Sequence, residues 1–98
     1  MTTIRDHIAS QSAIPAPPPG ATHVMAWEPY GPSRSQCALG ALDGPPDEAA
    51  LFDGPSDLAP AELVRGVSGL LGYPVALSAR IEVDGEFGYY VIPGGGGR

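Results

Sequence analysis

Hydrophobic and polar positions follow two different periods in the second half of the chain. Leu63, Val64, Val67, Leu70 and Leu71 fall at i, i+1, i+4, i+7 and i+8. At about 100° per residue they form one apolar stripe, which predicts a core-facing helix over 59–71. Pro60 suits the first helical position, and Glu62 complements the positive end of the helix dipole. Gly72 and Pro74 supply the stop. Gly66 and Gly69 soften this helix, and leave a smooth flank where a neighbouring element can come close.

From Val75 the period changes to two. Val75, Leu77, Ala79, Ile81 and Val83 alternate with Ala76, Ser78, Arg80 and Glu82, predicting a strand with one buried face. Asp84-Gly85 signals a hairpin turn, and Phe87, Tyr89 and Val91 alternate in a second strand over 86–92. Two registers compete. A two-residue loop pairs Val83 with Glu86 and divides the large side chains between both faces, so that both need covering. A three-residue loop pairs Ile81 with Phe87 and Ala79 with Tyr89, and gathers them on one face, with Glu82 opposite Glu86. Register follows the buried face, which favours the three-residue loop.

Upstream the pattern is more broken. Ile4 and Ile8 suit a short helix capped by Thr2 or Thr3, which needs a docking surface to persist. Pro15 to Gly20 reads as an extended tether. An apolar run at Val24–Trp27 and the alternation of Cys37, Leu39 and Ala41 predict an antiparallel pair of strands near 22–28 and 35–42. Asp43-Gly44-Pro45 and Asp53-Gly54-Pro55 are turn signals, with a single helical turn over 47–52 between them. The expected architecture is therefore α+β: a small single domain, β-β-α-β-β, with a mostly antiparallel sheet of about four strands. One main amphipathic helix packs on one face of that sheet. The divisions are 1–20 for the short helix and proline-rich tether, 21–93 for the domain, and 94–98 for a glycine-rich tail.

Composition narrows function mainly by exclusion. The 98 residues carry a formal net charge of −6, and all five basic residues are arginine. No basic patch exists for a phosphate backbone or an anionic lipid surface, so neither nucleic acid nor membrane is an expected partner. Arg5 and Asp6 interrupt the first apolar run, which argues against a signal peptide. With the single Cys37 this points to a reducing, cytoplasmic setting. Neither a metal-ligand spacing nor a glycine-rich phosphate loop is recognisable, so no cofactor is expected.

The expected function is a non-catalytic protein-binding module, an adaptor, inhibitor or accessory subunit. Its candidate contact residues are Trp27, Tyr30, Asp43, Asp47, Glu48, Asp53 and Asp57. The carboxylates suit a basic partner surface, and the aromatic candidates, with Tyr73 and Tyr90, suit contact anchors. Two alternatives belong to other classes. One is a self-associating structural subunit, for instance a homodimer paired through an open strand edge after the hairpin. The other is a Cys-His hydrolase or transferase, with Cys37 as nucleophile, His23 as base and Asp43 orienting the imidazole.

Overall fold

Thr3 starts the first helix: its hydroxyl accepts from the Asp6 N–H, while the Asp6 carboxylate accepts from the Thr3 N–H. This reciprocal cap fixes α1, Ile4–Ala9. The computed structural model describes residues 2–45, 49–83 and 86–94. After α1 come β1 His23–Pro29, β2 Arg34–Ala41, β3 Ala49–Pro55, α2 Pro60–Leu71, β4 Val75–Val83 and β5 Glu86–Pro93. The five strands form one antiparallel sheet in the order β3-β2-β1-β5-β4. The fold is α+β as expected, with one strand more than the sequence pattern suggested.

That additional strand is β3. Ala49–Pro55 pairs with β2, with Phe52 opposite Cys37 and Asp53 opposite Gln36. The helical turn expected over 47–52 is therefore replaced by strand from Ala49 onward, and Asp47 and Glu48 lie outside the described residues. Pro55 is tolerated because β3 is an edge strand, where a missing N–H breaks no inner ladder.

The hairpin also differs from the favoured register. Val83 pairs with Glu86, and Ile81 with Gly88, but further along Ser78 pairs with Tyr90. Ala79 and Arg80 thus both stand opposite Tyr89, a bulge in which Ala79 takes a left-handed φ of 58°. The extra residue inverts the side-chain alternation. Val75 and Leu77 join Val91 on one face of the sheet, while Ile81 joins Tyr90 on the other. The single buried face read from strict alternation is thereby split across both sides. Residues 84 and 85 of the turn itself lie outside the described residues.

Both faces are covered. α2 lies over Met25, Trp27, Cys37, Val75 and Val91, burying Leu63 and Val67 among them. Leu70 falls off this face and is 42% exposed, because the buried stripe centres on Leu63 and Val67. On the opposite face Ile4 and Ile8 of α1 pack on Val24, Leu42, Ile81 and Tyr90. Two N–H groups at the start of α1, of Ile4 and Arg5, donate to the carbonyls of Gly44 and Leu42 at 3.0 and 2.8 Å. These bonds satisfy donors that a helix start leaves open. The tether is held too, since the Tyr90 hydroxyl donates to the Pro15 carbonyl at 2.6 Å.

The two helix glycines part company. A Cβ on Gly66 would meet the Phe52 ring at 2.6 Å, whereas one on Gly69 would meet nothing within 4 Å. Gly69→Ala is accordingly expected to stabilise the protein by about 0.5–1 kcal/mol through helix propensity. In Gly66→Ala the same gain is offset by displacement of Phe52 from Trp27, and the net effect is destabilisation of about 1 kcal/mol. Urea denaturation midpoints of the two variants should move in opposite directions.

Candidate functional site

α1 covers only part of its sheet face. Beyond it a groove of about 560 Å³ remains open. Its floor is Val24 and Ala26 of β1, Gly88 of β5 and Ile81 of β4. Its wall is Ile4, His7 and Ile8 of α1, with Ile14 from the stretch that follows. The floor is smooth because Ala26 and Gly88 are paired neighbours, and Gly88 lets β5 lie directly against β1. The lining is mostly aliphatic, but Glu28 and Glu86 also border it.

The registers extend that acidic border into a row. Trp27 pairs with Phe87, so the next residues along the β1–β5 ladder are Glu28 and Glu86. Glu28 also pairs with Gln36 of β2, which pairs with Asp53 of β3. Cross-strand partners share a face. Glu86, Glu28, Gln36 and Asp53 therefore line up across four strands on the side of α1. Three inter-strand steps of about 4.8 Å make this row about 14 Å long. Asp53 ends it, accepting from the Tyr30 hydroxyl and from Arg34 at 3.0 Å. Tyr30 itself is 53% exposed.

The candidate contact residues separate on this surface. Tyr30 and Asp53 come together beside the row. Trp27 does not: it is 1% exposed, lies under α2, and its indole N–H donates to the Ser56 carbonyl at 3.2 Å. As an exposed anchor it is corrected to a core residue, because β1 turns it toward the helix-covered face. Tyr90 is corrected in the same way, being fully buried under α1, whereas Tyr73 is exposed. Asp43 pairs with Arg5 at 2.9 Å and ties α1 to the end of β2. Asp57 is exposed in the turn before α2. Asp47 and Glu48 lie outside the described residues. The sequence reading missed Glu28, Glu86, His7 and Gly88. Glu28, Glu86 and Gly88 share only a place along β1 and β5, which no single segment reveals, and His7 joins them through the docking of α1 on the sheet.

The Cys-His arrangement is not assembled. Trp27 pairs with Cys37 but His23 pairs with Ala41, so about 13 Å of strand, at ~3.3 Å per residue, separates His23 from Cys37. The His23 imidazole shares a hydrogen bond with the Thr22 hydroxyl at 2.8 Å. Cys37 is fully buried beneath α2, and Asp43 faces Arg5. Among the described residues no cluster of three or more His, Cys, Asp or Glu is placed to hold a metal ion. Likewise no helix among them is long and apolar enough to cross a membrane.

Among the described residues, His23 and Asp53 couple stability to acid pH. Partial burial holds the His23 imidazole below its usual 6.5. The neutral ring is favoured in the fold, so stability is full above pH 6.5 and falls as pH drops through the folded-state value. The Tyr30 hydroxyl, and then Arg34, hold Asp53 below 3.8. Its contribution is present above pH 3.8 and is lost as pH falls through its depressed value. His23→Gln is expected to flatten the first acid step and Asp53→Asn the second, read as denaturation midpoint against pH.

Comparison of the chain with protein-family models, curated proteins and solved structures finds no match in any of the three.

Proposed function

We propose that this protein is a non-catalytic protein-binding module, acting as an adaptor, inhibitor or accessory subunit. It seats an apolar segment of a partner protein in the groove between α1 and the sheet. The observation that carries this reading is the groove itself, an opening of about 560 Å³ in an aliphatic face that α1 leaves partly uncovered. Water held against such a surface is released when a partner's side chains enter, which is the main favourable term in association. The acidic row and Tyr30 beside it add a polar rim with an aromatic contact, the composition favoured at protein interfaces.

The self-associating reading is less well supported. β5 lies between β1 and β4, so the strand after the hairpin turn offers no open edge. The sheet edges are β3 and β4; β3 ends in Pro55, and β4 carries the Ala79–Arg80 bulge. Proline and bulges at edges are devices that discourage further strand pairing.

A groove-filling substitution tests the proposal. Ala26→Leu places three more carbons on the floor. In parallel affinity captures, a partner retained by the native protein should be absent or strongly depleted with Ala26→Leu of unchanged circular dichroism. Equal retention by both proteins would remove the groove as the contact site.

A further inference from the structure

We infer that the occupant of the groove is a basic amphipathic segment: its aliphatic side chains enter beneath α1, and its lysine or arginine side chains sit over Glu28 and Glu86. This rests on the groove reading above and names the chemistry of the partner. Charge complementarity identifies this occupant. Glu28 and Glu86 follow Trp27 and Phe87, the last pair of the β1–β5 ladder, and both border the groove. Like charges on the same face of adjacent strands repel and lower stability. The described arginines are directed elsewhere. Arg5 pairs with Asp43, Arg34 with Asp53, Arg65 with Glu62 and Arg80 with Glu82. Those are all the arginines among the described residues, and the sequence has no lysine.

An incoming ammonium or guanidinium would relieve this repulsion while its neighbouring aliphatic side chains fill the groove. The same two carboxylates then have opposite effects in the two states. They destabilise the free protein and strengthen the complex. A merely structural glutamate would not show that sign reversal.

The probe is a random-peptide display library selected on the immobilised native protein, followed by titration of the enriched peptides. The inference expects peptides with Lys or Arg adjacent to Leu, Ile, Val or Phe. Glu28→Gln combined with Glu86→Gln should weaken them about tenfold, and raised salt should also weaken them. The same double variant should raise the denaturation midpoint of the free protein. Ala26→Leu should abolish binding, with Ile14→Phe as a second filling variant from outside the sheet. Peptides lost on filling the groove, yet neutral or acidic and indifferent to the glutamines, would overturn this inference and leave the groove reading standing. Peptides indifferent to both filling variants, or no enriched peptides at all, would overturn both.

Discussion

Trp27→Ala is expected to lower stability by about 3–5 kcal/mol, the usual cost of deleting a large aromatic side chain from a core. Trp27 is 1% exposed among Met25, Cys37, Leu63 and Val67, with the Phe52 ring at 5.8 Å. Its indole N–H also anchors the Ser56 carbonyl, so truncation leaves both a cavity and an acceptor without that donor. A small domain has roughly 5–15 kcal/mol of net stability, so the variant should be marginal at room temperature. Trp27→Phe keeps part of the ring packing and should lose less. If Trp27 were an exposed contact residue, alanine would cost within about 0.5 kcal/mol and its effect would fall on binding. Urea denaturation of the two variants separates these outcomes.

Gly88→Ala should be comparably damaging for a different reason. Gly88 stands between Ala26 of β1 and Ile81 of β4 in the middle of the sheet. A Cβ there would lie 2.1 Å from the Met25 carbonyl oxygen and 3.2 Å from the Ala26 Cα. Both obstacles are backbone of a central strand, so no rotamer change removes the clash. The β1–β5 ladder must part, at a cost of about 3 kcal/mol, toward the upper end for overpacking. The groove floor would shift with it, and partner binding should fall even where the variant stays folded. A midpoint within experimental error of the native value would contradict the strand contact described here.

Local signals carried the helices and four strands. Pro60 and a left-handed Gly72 bound α2 where the apolar stripe begins and ends. Thr3 with Asp6 caps α1 just before the Ile4–Ile8 pair, although the docking of that pair needed the sheet to exist. What was not legible depended on distant partners. β3 contains Asp53-Gly54-Pro55, which locally favours a turn, and only pairing with β2 holds it extended. The bulge at Ala79 and Arg80 carries no glycine, so nothing in the alternating pattern announced the change of face. The face assignment of every large residue in β4 turned on that one extra position.

The candidate site was partly legible for the same reason. The sequence marks Tyr30 as an exposed aromatic and Asp53 as an acidic residue, and tertiary structure joins them through a hydrogen bond. Arg5 and Arg34 are distant in sequence from Asp43 and Asp53, so the linear chain does not reveal that these carboxylates are paired. Glu28 and Glu86 are 58 positions apart and border one groove only because β1 and β5 are neighbours.

A partner on the face bearing α1, beside the acidic row, should shield that face from solvent. Hydrogen–deuterium exchange of the native protein, alone and with a captured partner, measures that shielding. Exchange should slow over residues 4–14, 24–28 and 86–88, with α2 unchanged. Protection confined to α2 or to the β4 edge, with the α1 face exchanging as in the free protein, would contradict this placement of the partner.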